Sequence, residues 1–202
     1  MKKIKIEVGA NTGRDTLNLS SDGSIVYAFE PTHELVSEFL WPLSIKNPNI
    51  RIIPFAIDVE NNFVTFNIAG QADWGCSILF EFTDNISEQW PNRPDFKFTH
   101  SYQVPTIKLK DFVTLYSIDE IEYLHVDAQG NDLNVLKSLE DKISIVNAGV
   151  VEASNKVNLY KDVNNNIQEI RNYLQNNGFE IIREERNDVV DAEVNIFFKR
   201  IY

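Results

Sequence analysis

The chain has 202 residues, 43% of them apolar and 24% charged, which is enough for one buried core; no Pro/Ser-rich linker divides it, so residues 1–202 read as a single domain. A formal net charge of −11 and a pI near 4.7 carry the wrong sign for neutralising a phosphate backbone, which excludes nucleic acid and an anionic membrane surface as expected partners. Cys76 is the only cysteine. With no possible internal disulfide, no signal-like stretch and no run near the roughly 18 apolar residues of a membrane span, the expected location is the cytoplasm.

Short runs rich in Ile, Val and Phe alternate with segments of helical spacing, the pattern of a sheet built from βα units. Ile4 to Val8 is the first strand, and it stops at a loop with two glycines four apart, Gly9 and Gly13. Glycine lets the main chain take positive φ and lets a ligand approach bare backbone, although a tight βα turn uses the same residues. Ile25 to Phe29 is the second strand; beyond Pro31 and Thr32, the positions Leu35, Val36, Phe39, Leu40 and Leu43 predict a helix over His33 to Leu43. Ile50 to Ile57 reads as a third strand, Asn61 and Asn62 as a turn, and Phe63 to Ile68 as the strand of an added hairpin. From Gly70 to Thr106, three prolines, two tryptophans and the lack of a sustained period predict an irregular excursion with at most one short regular element. Its part around residues 70–103 is expected to cover an acceptor cavity. Then follow a helix at Leu109 to Tyr116, a buried strand at Tyr123 to Val126, a helix at Leu133 to Leu139 and a strand at Ala148 to Glu152. Ile167 to Asn177 is a helix that closes at Gly178, where glycine suits the left-handed position past the last turn. Glu180 to Glu184 and Val194 to Ile201 are expected to pair antiparallel at one edge.

In an open α/β sheet the ligand lies at the carboxyl ends of the strands near the switch point, so Gly9 to Gly13 falls where a cofactor binds. Its GxxxG spacing differs from the GxGxxG of dinucleotide-binding turns, which argues against nicotinamide and flavin. Glu30 closes the second strand 17 residues after Gly13. A carboxylate there can accept from both hydroxyls of a ribose, each charge-assisted bond contributing roughly 1.5 to 3 kcal/mol. A lone glutamate is more often a solvated loop acid; its combination with Gly9 and Gly13 at adjacent strand ends singles it out. The stretch YLHVDAQGND brings Asp127 and Gln129 to the same crevice, and VVEAS ends the next strand in Glu152. Together with Glu7, acids at four strand ends are expected at one rim, although each also suits a helix cap. His125 reads as a core residue, His33 as a helix start, and His100 as a residue of the excursion facing an acceptor. No Cys/His spacing of a metal site is present, and no metal is expected.

These residues resemble the FkbM-type methyltransferases, a branch of the class I enzymes that use S-adenosylmethionine. The likeness rests on VGANTG at the glycine loop, AFEP ending at Pro31, FAI at Phe55 to Ile57, WGCSIL at Trp74 to Leu79, VPTIKLKDF at Val104 to Phe112, VDAQGNDLNVLKSL at Val126 to Leu139 and VVEAS at Val150 to Ser154, in this order over most of the chain. The resemblance implies an α/β fold: a Rossmann-like doubly wound sheet of seven strands with the last one antiparallel. It implies S-adenosylmethionine as cofactor, with Glu7, Gly9, Ala10, Asn11, Thr12 and Gly13 around its methionine part and Glu30 and Pro31 at the ribose. Ala56, Ile57 and Asp58 would border the adenine, and Ser77, Asp127 and Gln129 complete the cofactor set. Asp127 is the expected catalytic group, with Trp74, His100 and Glu152 toward the substrate. The implied activity is methylation of an oxygen on a small hydroxylated acceptor, a sugar above all; an oligomer is compatible. The rival is a nucleotide-cofactor-binding protein of the same fold without methyl transfer. Three features depart from the family: Gln129 stands where a Glu is usual, His125 where a Lys is common, and no helical extension precedes the first strand.

Overall fold

The computed structural model describes residues 2–69, 77–84, 97–155, 160–161, 163–186 and 193–201. The strands are β1 (Ile4–Val8), β2 (Ile25–Phe29), β3 (Ile50–Ile53), β4 (Ala56–Ile57), β5 (Phe63–Ala69), β6 (Phe98–Ile107), β7 (Tyr123–Val126), β8 (Ala148–Ser154), β9 (Phe179–Arg186) and β10 (Glu193–Arg200). The helices are α1 (Arg14–Ser20), α2 (His33–Leu35, continued by the π-helical Val36–Leu40 and by Trp41–Lys46), α3 (Leu109–Leu115), α4 (Asp132–Lys137) and α5 (Ile167–Asn176). A 3-10 segment, Glu140–Ile145, follows α4.

Seven strands form one sheet in the order β3-β2-β1-β7-β8-β10-β9. Neighbours from β3 to β8 pair in parallel, while β10 runs antiparallel to both β8 and β9. This is a Rossmann-like doubly wound α/β fold with its last strand reversed. Strand order changes direction between β1 and β7, so the crevice beyond their carboxyl ends is the topological switch point. Parallel strands covered on both faces need near-continuous apolar runs, and Ile6, Val26, Phe29, Leu124, Val126 and Val151 are all fully or almost fully buried. Phe29 packs edge-on against Phe112 of α3, ring centres 4.8 Å apart. The outer strand β9 is blunted by charge, its Arg183 to Arg186 end being exposed. Helix α5 starts where the Asn166 side chain accepts from Glu169 N–H at 3.0 Å and ends at Gly178, whose φ is +79°.

Two sequence expectations fail here. The expected strand Ile50 to Ile57 breaks into β3 and β4, because Pro54 has no N–H to continue the ladder and Phe55 N–H turns back to Ile53 O at 2.8 Å. Strand β4 then leaves the large sheet for a second one, ordered β4-β6-β5. The expected hairpin strand, β5, pairs antiparallel with β6, from Phe63 opposite Pro105 to Ala69 opposite Phe98. Nine residues of the supposedly irregular excursion, 98–106, are therefore strand. Pro105 is tolerated within it because Thr106 N–H donates toward Asn62, so the proline nitrogen faces the other side, where β4 begins only opposite Thr106. Among the described residues no helix is long and apolar enough to cross a membrane.

Candidate active site

A cavity with about 630 Å³ of empty space, counting the part open to solvent, lies at the switch point. Gly9 and Asn11 line it from the loop after β1, Glu30 and Thr32 from that after β2, and Asp127 and Gln129 from that after β7. Phe55, Ala56, Ile57 and Phe66 make an apolar wall, with Ser77, Ile78 and Leu79 beside it.

The end at β1 and β2 is built from main chain. Gly9 N–H and Ala10 N–H both donate to Phe29 O at 3.0 Å, which turns the loop sharply across β2. Gly9 holds φ +86°, and a Cβ there would stand 1.9 Å from the carbonyl oxygen of Asp127. Only glycine lets β1 and β7 come this close. Glu30, 5% exposed, receives Asn11 N–H on Oε2 at 2.8 Å and Thr32 N–H on Oε1 at 2.9 Å. Each oxygen keeps acceptor capacity beside the cavity, as a ribose with two neighbouring hydroxyls requires. Burial pushes the Glu30 carboxyl above its ordinary range, against the pull of the bonds from Thr32 and Asn11. Bare backbone, a fixed carboxylate and an apolar slot together fit a nucleoside cofactor.

The end at β7 and β8 is built from side chains. Gln129, held at φ +49°, donates through Nε2 to Asp127 Oδ1 at 2.8 Å and reaches Glu152 Oε2 at 3.4 Å. Tyr160 donates its hydroxyl to Gln129 Oε1 at 2.8 Å. Its ring packs where a Cβ on Gly130 would lie, 2.5 Å from the Tyr160 Cδ2 atom. Asp132 braces the loop from below, accepting from Ala128 N–H at 2.8 Å, Gly130 N–H at 3.0 Å and Asn165 Nδ2 at 2.9 Å. Burial, and then the charge of Asp127, push Asp132 up to about 7. Burial also raises Asp127, with Gln129, His125 and Glu152 pulling it back.

The other sequence candidates are dispersed. Glu7, 1% exposed, is turned away from the cavity: Thr16 donates its hydroxyl to Oε2, and His125 Nδ1 stands 3.7 Å from Oε1. Of the expected rim of four acids, Glu30 and Asp127 stand in the cavity wall; β1 directs Glu7 under α1, and Glu152, outside the wall, faces Gln129 Nε2 at 3.4 Å. Asp15 joins Glu7 and His125, their polar atoms all within 4.8 Å of one another. Burial works against the charge on His125, yet Glu7, Asp127 and Asp15 hold its pKa above the usual imidazole value. Ala10 packs with Ala28, Val36 and Leu40, and Thr12 is exposed. Gly13 serves packing, since a Cβ would meet Leu43 at 2.7 Å and Leu40 at 2.9 Å. Pro31 lines the cavity; Asp58 lies outside its wall and accepts from Val59 N–H at 2.8 Å. Ser77 lines it while accepting from Ala69 N–H at 3.1 Å. His100 is exposed on β6, with Nε2 3.8 Å from Glu34 Oε1, and His33 stacks on Tyr102 at 4.4 Å. Trp74, Trp90 and much of the expected cover lie outside the described residues. Sequence reasoning missed Tyr160, Asp132 and Asn165, whose roles depend on contacts across 31 to 33 positions.

The family model described as Methyltransferase FkbM domain matches residues 7–181. No curated protein matches the chain. Among solved structures, an rRNA methylase from Streptococcus thermophilus superposes with TM-score 0.53 at 12% identity, covering 100% of this chain and 88% of that one. WbdD, crystallised with a kinase inhibitor, gives TM-score 0.54 at 10% identity over 98% of this chain and 36% of WbdD. M. capricolum TrmK, in complex with S-adenosyl-homocysteine, gives 0.50 at 9% identity over 98% and 62%. At these identities the likeness concerns the fold.

Proposed function

The chain belongs to the FkbM methyltransferase family, and from that premise we propose that it methylates a hydroxyl oxygen of a small acceptor, a sugar or a related hydroxylated metabolite. The observation that carries this reading is the division of one cavity between a nucleoside-type anchor at Glu30 and a polar end at Asp127 and Gln129, with Glu152 in reach of Gln129. Bound there, S-adenosylmethionine supplies a sulfonium methyl that an acceptor oxygen can attack in line, the sulfur keeping the electron pair. Glu30 would hold the ribose, the Gly9 to Asn11 backbone the methionine part, and Phe55 to Ile57 the base. Asp127 takes the hydroxyl proton, which an alcohol must lose to become a good nucleophile. Its negative charge also suits a cationic cofactor. A net charge of −11 favours a small acceptor over RNA, and a single cysteine suits the cytoplasm.

The test is incubation with methyl-labelled cofactor and a panel of sugars, hydroxy acids, phenols, amines and RNA. Label is expected on the oxygen of a sugar or similar small molecule. Label only on RNA or on nitrogen would contradict the reading.

A further inference from the structure

The carboxylate cluster has one feature that a lone catalytic base would not need. Two acids from different strands, Asp127 after β7, half-buried where it lines the cavity, and the buried Glu152 in β8, converge on the same nitrogen, Nε2 of Gln129, at 2.8 and 3.4 Å. The amide takes the Tyr160 hydroxyl on its oxygen at 2.8 Å and turns its NH₂ group, which carboxylate oxygens can accept from, to the two acids. A glycine at position 130 gives the tyrosine ring room to do this. The αL backbone of Gln129 is costly for a side-chain-bearing residue, and it holds the amide at this spot. An acid at position 129 would put a third carboxylate in the cluster and no donor between the other two.

We propose that Asp127 and Glu152 act as one proton-sharing pair that keeps the charge of the site constant, giving up its proton as the sulfonium cofactor binds and taking the acceptor's hydroxyl proton during methyl transfer. This rests on the methyltransferase reading. Two carboxylates that share one donor, one of them buried and the other half-buried, do not both ionise readily, so the pair of the free protein holds one proton and one negative charge. Burial raises the Asp127 carboxyl, and Glu152 is among the neighbours that pull it back. A sulfonium adds one positive charge, and the pair answers by releasing its proton to solvent. The acceptor's proton then restores it as the sulfur becomes neutral, so the pair ends with the one proton it began with. The sum of cofactor and pair is one negative charge at each stage.

Other charges face the pair from every side. His125 lies two residues back on β7 and, with Glu7 of β1 behind it, favours ionised Asp127; Asp15 of α1 and Asp132 of α4 oppose it. Neutral Asn195 of β10 stands opposite Glu152. His125 is the one group among these that can become a cation, so its titration has to be separated from that of the pair.

Calorimetry in buffers of different ionisation enthalpy counts the protons released on binding. For the wild-type protein near pH 7, S-adenosylmethionine is expected to release up to one proton more than S-adenosylhomocysteine. Its affinity should rise by up to tenfold per pH unit over the range in which the free pair is protonated, while that of the neutral product stays flat. Glu152→Gln is expected to abolish the difference and His125→Gln to leave it. Equal proton counts for the two ligands in the wild-type protein would overturn the shared proton while leaving the methyltransferase reading intact. A difference that disappears in His125→Gln but survives Glu152→Gln would assign it to the histidine and overturn the pair. Failure of both ligands to bind would remove the reading itself, and the pair with it.

Discussion

The two ends of the cavity are made in different ways. At β1 and β2 the anchor is a carboxylate fixed by two backbone N–H groups, 19 and 2 positions away, and by a glycine loop that folds onto the adjacent strand. At β7 and β8 the polar groups are fixed by one another and come from residues 127–132, Glu152, Tyr160 and Asn165. A backbone-built end depends on φ and on missing Cβ atoms. A side-chain-built end depends on every partner being present, so single substitutions there should alter chemistry and charge more than the loop itself.

The largest expected effect is Gly9→Ala. Its Cβ would meet main chain at 1.9 Å rather than a movable side chain, so β1 and β7 must separate. A loss of about 3 kcal/mol or more is expected, roughly a 10 °C fall in Tm. Thermal unfolding checks it, and a fall below 2 °C would mean that the two strands are not held as described.

Asp127→Asn comes next. Turnover should drop about 10²-fold, near 2.7 kcal/mol, while affinity for the neutral product S-adenosylhomocysteine stays within about threefold, because the variant keeps on Glu152 the single negative charge of the free pair. Affinity collapsing with turnover unchanged would make Asp127 a binding group. Asp132→Asn is expected to cost about 2 kcal/mol in denaturant unfolding, since both carboxylate oxygens accept and an amide NH₂ would face a donor. Unchanged stability would remove Asp132 as the brace of the loop.

Gly13→Ala should do the least. Its φ of +83° costs about 1 kcal/mol, and the leucine ends it would touch can shift. Cofactor affinity should stay within twofold; a tenfold loss would return Gly13 to the cofactor site and blur the contrast with Gly9.

The same contrast decides what could be read from the sequence. Strands β1, β2, β7 and β8 were legible because a parallel strand buried on both faces must be a short apolar run, and Glu30 because it ends such a run at a fixed distance from the glycine loop. Strand β6 was not: its exposed first half alternates poorly, it contains Pro105, and its partner β5 lies across the excursion. The split of β3 from β4 had a visible sign in Pro54, but the second sheet that receives β4 had none. Glu7 was misplaced because a strand's pattern does not say which face the cofactor occupies; Thr16 and His125 decide it. The Tyr160–Gln129 bond joins residues 31 apart with no motif between them.

The central claim is that the cavity at the switch point holds the adenosyl cofactor through Glu30. Calorimetric titration of S-adenosylhomocysteine into the wild-type protein and Glu30→Ala tests it most directly. The account predicts binding to the wild-type protein, a loss of tenfold or more in the variant, equal to about 1.4 kcal/mol, and no binding of nicotinamide dinucleotides to either. Equal affinities for the two proteins would contradict it.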